Sequence, residues 1–399
     1  MGQAMPSSIS SSDVGSAAGP RHALSPGLRL TASDRPGVAQ PVPERDIPDR
    51  PWRAISLAAF LIVAILTSLW EVRMRQLGLT PGDLGDNASA WAEQRRRIDS
   101  EPIKVAIVGD SRILFDTDLS RFQQLTGVRP LQLALPGTNG RPVLEDLAAD
   151  PKFKGLVIVG MADTSYFRDK IGFMKQALDL GHWESPAKRG SFVIHRFLAQ
   201  HLAFLETEYR LSTLVARTDP NWRAGVEGPY NDVWKIGQSF GDRQTFMWPR
   251  IEQDERLRQH ALAAWGGFRG PPVKPAIIAM TQAKTRAAVD TIRARGGDVI
   301  FVRPPSIPEI RANEEKRIPK ARGWDALLTT SHSAGIHIDD LPAAQGLVIP
   351  EGSHVSRACA TVFTDAYVRR LVTLMPRLHL MANAPAPLSA RDCRPRTAG

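Results

Sequence analysis

The 399-residue sequence predicts an α/β protein, a parallel sheet covered by helices on both faces, preceded by one apolar membrane helix. Three observations predict it. Short apolar runs alternate with helical runs of about ten residues or more, the pattern of a parallel sheet buried on both sides. The first such run, residues 105–108 (VAIV), leads directly into Gly109-Asp110-Ser111. Residues 54–70 (AISLAAFLIVAILTSLW) carry no charge.

Residues 1–50 are rich in Ser, Pro, Gly and Ala without an apolar period, and are expected to be disordered. The uncharged run is about the minimum for a membrane span, roughly 17 residues. Trp52 and Trp70 bracket it where interfacial aromatics belong, and Arg53 and Arg73 flank it. It lies too deep in the chain for a cleaved signal peptide, so residues 51–72 are assigned as an uncleaved anchor. Arginines before and after the run nearly balance. The shorter amino end is expected inside and the large domain outside, which in a bacterium is the periplasm. A charged connector, 73–103, is partly helical around 88–98.

The folded domain is expected over 104–381. After the strand at 105–108 come a helix at 116–125, a strand at 130–135 (PLQLAL) that breaks at Pro136-Gly137, a helix at 141–149, and a strand at 155–159 (GLVIV). Beyond residue 272 the alternation resumes: a helix at 276–295, a strand at 298–302, a helix at 324–333, a strand at 335–338 and a helix at 357–374. The interruption between, about 167–272, is too long for a loop and reads as a mostly helical inserted cap. Its Trp222, Trp234 and Trp248 either stack on sugar rings or fill a small core of the cap itself. Residues 382–399 are expected to be a disordered tail.

The formal charge is +10, mostly within the folded part, because the first 53 residues carry six Arg against five acids. Such a surface suits an anionic polysaccharide or lipid headgroups. No aromatic-basic interleaving points to nucleic acid, and none is expected as a partner. The two cysteines, Cys359 and Cys393, neither require nor exclude a disulfide, and Cys359 reads as a small core residue. The histidines other than His354 show no metal-like grouping, so neither a metal nor another cofactor is expected.

Ser111, at the carboxyl edge of the first strand, stands where open α/β sheets place their ligands. A serine needs a base within hydrogen-bond reach and a third group to orient that base. His354, just before the last helix, and Glu351, three residues earlier, supply those types in that order. Asp339 and Asp340 are rival orienting acids.

With these residues in view, the chain resembles the SGNH/GDSL hydrolase superfamily, in particular its membrane-anchored bacterial branch associated with envelope polysaccharides. The likeness runs over roughly 104–374 without the insertion. Residues 298–370, with VRPPS, GIHIDDLPAAQG and EGSHVSR, carry most of it. The resemblance implies a flavodoxin-like three-layer domain, with Ser111 as nucleophile and its own backbone N–H as an oxyanion donor. It implies Gly137 as the second donor, His354 as the base and Glu351 as the triad acid, where the family usually has Asp. The family's Gly-x-Asn-Asp reads Gly160-Met161-Ala162-Asp163 here, so the third donor is missing. Loss of one such donor typically costs about 2.7–4 kcal/mol in the transition state. Asn139 stands at the same sheet edge and either replaces that donor or caps the following helix. Arg112 and Arg303, at strand ends, are candidate contacts for an anionic substrate.

The expected function is a membrane-anchored extracytoplasmic serine esterase or O-acyl transferase on an acylated envelope glycan or polysaccharide. The alternative is a catalytically silent domain that binds glycan or polysaccharide-assembly proteins. A phosphate-binding domain is disfavoured, because the turn after the second strand lacks a phosphate-cradling glycine pattern.

Overall fold

A computed structural model describes residues 50–169, 174–218, 235–265 and 269–394. The expected disordered segment 1–50 and the expected tryptophans 222 and 234 fall almost wholly outside these residues. The chain forms two compact units, Met1–Ile65 and Leu66–Gly399. The described part of the first belongs to the helix Trp52–Gln76, which continues into the second and is long and apolar enough to cross a membrane. At about 1.5 Å per residue its 25 residues exceed the roughly 30 Å of a hydrocarbon core.

The second unit is an α/β fold. Strands β1 (Val105–Val108), β2 (Leu131–Gln132), β3 (Leu156–Gly160), β6 (Asp298–Arg303) and β7 (Ala334–His337) form one parallel sheet in the order β2-β1-β3-β6-β7. Strands β4 (Gly237–Ser239) and β5 (Thr245–Met247) form a separate antiparallel pair. Alternate residues of a strand point to opposite faces, and the sheet divides accordingly. Ile107, Ile158, Ile300 and Val302 pack beneath the helices Leu119–Thr126 and Arg357–Leu374. Ala106, Val108, Val157, Val159, Val299 and Phe301 pack beneath Ala88–Ser100, Arg141–Ala149 and Pro275–Ala294. Burying each Val, Leu or Ile side chain is worth about 1.5–3 kcal/mol.

The expected order of strands and helices is present, with local differences. The strand expected over 130–135 pairs regularly over only two residues. Leu133 and Leu135 still donate to the carbonyls of Ile107 and Gly109, at 2.8 and 3.0 Å. The outer carbonyls of this edge strand are taken by Arg243, whose guanidinium donates to Gln132 O at 2.9 Å and Ala134 O at 2.7 Å. An exposed strand edge invites pairing with another chain, and the arginine closes it.

Arg243 lies in the turn of the β4–β5 hairpin, so the segment between β3 and β6 is not wholly helical. It contains the helix Pro186–Ala199, followed by a short 3-10 turn, Ala203–Leu205. Trp248 is buried to 1% exposure with Met74, Leu79, Met247 and Ile251, which makes it a core residue between that segment and the residues that precede β1.

Two expected boundaries are corrected. The connector belongs to the domain: Trp91 is fully buried and its indole N–H donates to Leu133 O at 2.8 Å. Arg95 pairs with Asp146 and Asp150 at 2.5 and 2.8 Å. Its polar composition had hidden one apolar helix face. The tail is also fastened, through residue 394. Leu388 N donates to Asp365 at 3.0 Å, and Cys393 forms a disulfide with Cys359. Cys359 is therefore buried and bridged.

The bridge closes a loop of sequence separation 34. A loop of that size is worth about 3–4 kcal/mol in chain entropy. Cys393→Ser should lower the unfolding free energy by about that amount in urea titrations, and wild-type protein under reductant should show the same loss.

Candidate active site

Strand β1 ends at Val108, and the next residue, Gly109, has φ 145°. A Cβ there would lie 2.6 Å from Gly160 O at the end of β3. Gly140, φ 64°, comes as close: its Cβ would lie 2.6 Å from Gly109 Cα. Only glycines let the loop after β2 and the end of β3 meet the β1 turn backbone to backbone. Asp110 then caps the short helix Ser111–Asp116, accepting Arg112 N–H at 3.1 Å and the Ser165 hydroxyl at 2.5 Å. Ser111, part-exposed, is the first residue of that helix, where backbone N–H groups have no intrahelical acceptor.

His354 arrives on the loop before Arg357–Leu374. Its Nε2 lies 2.9 Å from Ser111 Oγ, across 243 positions of sequence. Its Nδ1 lies 2.6 Å from Glu351 Oε1, which also accepts the His354 backbone N–H at 2.7 Å. Glu351 Oε2 accepts Ser353 N–H at 3.2 Å and the indole N–H of Trp265. Burial alone would raise the Glu351 carboxyl, but His354, with these donors, brings it below its ordinary value. An ionised carboxylate only accepts, so Nδ1 carries the proton and Nε2 presents its lone pair to the serine hydroxyl. The imidazole is held in place by Phe115, ring centroids 4.5 Å apart, and by the edge of Trp265 at 5.9 Å.

The structure thus brings Ser111, His354 and Glu351 into one hydrogen-bonded chain. The rival acids stand elsewhere. Asp339 pairs with Arg311 at 2.7 Å and with His337, and Asp340 accepts the His337 backbone N–H. Gly137 is exposed in the turn after β2, with φ 69°. Asn139 is 2% exposed and its amide donates to Arg168 O at 3.0 Å. Ala162, 3% exposed, precedes the helix Asp163–Tyr166 and offers no side-chain donor.

Arg112 and Arg303 are corrected from substrate contacts to buried ion-pair members, each 2% exposed. Arg112 pairs with Glu314 at 2.8 Å and donates to Ser353 Oγ at 3.2 Å. Arg303 pairs with Glu314 at 2.5 Å and with Asp163 at 3.0 Å. Burial would raise Glu314, but the two guanidiniums hold its carboxyl below the usual range. Sequence reading missed Glu314 because it sits in a helix of mixed charge, Pro308–Arg317, indistinguishable from a solvated one.

Three other residues also gave no sequence signal: Trp265, Phe115 and Asp116. Asp116 is fully buried, and one oxygen accepts Val355 N–H at 3.0 Å, next to the histidine. Burial, with Glu351 and Asp110 nearby, pushes its carboxyl well above the usual range.

No family model matches the chain, and no curated protein matches its sequence.

Removing one partner of a buried ion pair typically costs about 3–5 kcal/mol. Glu314→Gln should therefore lower unfolding stability by about that much, as urea denaturation would read. Asp116 predicts an opposite pH signature. Because its folded pKa is raised, its contribution is full below the ordinary carboxylate range and is lost as pH rises. Asp116→Asn keeps the acceptor for Val355 but cannot ionise. Its Tm relative to wild type should rise steadily from about pH 4 to about pH 8, and a flat difference would refute the assignment.

Proposed function

We propose that this chain is a serine esterase or O-acyl transferase of SGNH type, acting on an acyl ester of an envelope glycan. The observation that carries the reading is the 2.9 Å contact of Ser111 Oγ with His354 Nε2, whose other nitrogen rests on a buried carboxylate. In this reading Nε2 takes the hydroxyl proton as Oγ attacks the ester carbonyl. The backbone N–H groups of Ser111 and Gly137 hold the oxyanion. The C–O bond to the sugar then breaks, and His354 returns the proton to the leaving alcohol. Water, or a second sugar hydroxyl in a transferase, attacks the acyl-serine with His354 again as base. Glu351 stays ionised and stabilises the imidazolium.

Several features support the wider reading. The sheet order corresponds to the flavodoxin-like arrangement, and Ser111 stands at the switch point between β1 and β3. The segment between β3 and β6 supplies Trp265 to the site, as a cap would. A disulfide suits an oxidising compartment, so the helix Trp52–Gln76 is read as a single anchor with the domain in the periplasm. Polysaccharide-assembly proteins are the partners this placement suggests.

One observation favours a second reading, a silent glycan-binding domain. Ala162 supplies no third oxyanion donor, and Asn139 is engaged with Arg168. Loss of a donor slows a reaction by about 10²–10³ without abolishing it, so acyl chemistry remains the leading reading.

A fluorophosphonate reagent should label the full-length protein in detergent at Ser111, located by peptide mass spectrometry. Ser111→Ala should abolish labelling and His354→Ala should reduce it severely. Wild-type labelling no greater than that of Ser111→Ala would sink the esterase reading in favour of the silent one.

A further inference from the structure

The helix Pro186–Ala199 has apolar residues on two sides. The side it presents to the domain is mixed: Arg196 pairs with Glu93 and donates to Gly241 O, Phe192 and His195 are half-buried, and Ala199 is buried. The other side is bare. Val193, Ile194, Phe197 and Leu198 are 54, 63, 61 and 42% exposed. With Pro186, Ala187 and Gly190 they recur at the spacing of one helix face, and no charged residue interrupts that face. Lys188 and Arg189, both exposed, stand beside it. Trp183, just before the helix, is 72% exposed. An uninterrupted apolar face on an otherwise charged surface marks a docking site.

The position of this helix says what covers it. The apolar run of the anchor ends at Trp70. The next residue, Glu71, accepts the backbone N–H groups of Ala203 and Phe204, both at 3.0 Å. Arg75 donates to His201 O at 3.4 Å, and Gly82 N–H donates to Ala199 O at 2.9 Å. The carboxyl end of the bare helix is therefore pinned to the residues at which the chain leaves its span.

We propose that Pro186–Ala199 is an interfacial membrane helix, lying in the headgroup layer with Val193, Ile194, Phe197 and Leu198 among the acyl chains. The inference rests on the reading of Trp52–Gln76 as an anchor. A helix of this kind buries its apolar face about 5–10 Å into the headgroup–acyl boundary, and flanking cations favour anionic lipid. Its 14 residues, about 21 Å long, add a second attachment beside the span. A single helix leaves a domain free to swing about its exit. Two attachments fix the orientation of the domain on the membrane.

The experiment uses the full chain reconstituted into vesicles of phosphatidylethanolamine and phosphatidylglycerol. Both native cysteines lie in the disulfide, so an introduced cysteine is a unique site for a nitroxide label. Labels at Ile194→Cys and Phe197→Cys are compared with one in the span, Ile62→Cys, and one on an exposed helix, Lys284→Cys. Accessibility to oxygen, which concentrates in lipid, is read against a water-soluble nickel chelate. The expected result is an oxygen-to-nickel ratio at residues 194 and 197 severalfold above that at residue 284, approaching the value at residue 62. A lipid signal at residue 62 with an aqueous one at 194 and 197 overturns the interfacial helix and leaves the anchor standing. An aqueous signal at residue 62 overturns the anchor and the inference with it. Protection of residues 194 and 197 from both reagents means that protein covers the face, a second copy or a partner, and overturns the proposal too.

Discussion

The buried carboxylate of Glu351 is the constraint around which the site is built. An ion withdrawn from water costs several kcal/mol unless its lone pairs are occupied. Here Ser353 N–H, His354 N–H, His354 Nδ1–H and the Trp265 indole occupy them. Three of the donors belong to the loop that carries Glu351, so meeting the demands of the charge is the same act as shaping the loop. The result is an imidazole with one tautomer and one orientation, its free nitrogen turned to Ser111. Glutamate, one methylene longer than aspartate, still reaches both the ring and the backbone of a residue three positions on.

Two neighbouring carboxyl groups are balanced in opposite ways. Glu314 sits between Arg112 and Arg303 and stays ionised, and Arg112 hands the tie on to Ser353 in the histidine loop. For Asp116 burial outweighs the pull of Arg112 and pushes the carboxyl well above the usual range, and it holds the same loop through Val355. The loop is thus fastened to the helix that begins at Ser111 by an ion cluster and by a buried carboxyl group. Neither is available to a substrate.

The segment between β3 and β6 serves three places at once. Arg243 closes the edge of β2, Trp265 completes the coordination of Glu351, and Ala203 and Phe204 receive Glu71. Domain edge, candidate active site and the end of the long apolar helix are therefore connected through one stretch of chain.

Hydrophobic periodicity determined the order of strands and helices, because alternation and length report burial directly. The long apolar run determined the helix Trp52–Gln76. The pairing of Ser111 with His354 was legible because a turn after the first strand and a loop before the last helix converge at one sheet edge in this topology. Other features were written in no local pattern. Arg112 and Arg303 read as candidate contacts for an anionic substrate, and both are instead buried against Glu314, 202 positions from one of them and 11 from the other. Helix Ala88–Ser100 looked solvated, and the tail looked free until Cys393 met Cys359. Trp265 carried no sequence signal of its contact with Glu351. Local sequence encodes which face of an element is apolar, but the partner of a buried charge, a cysteine or an indole is a property of distance in three dimensions. Only the packed chain decides it.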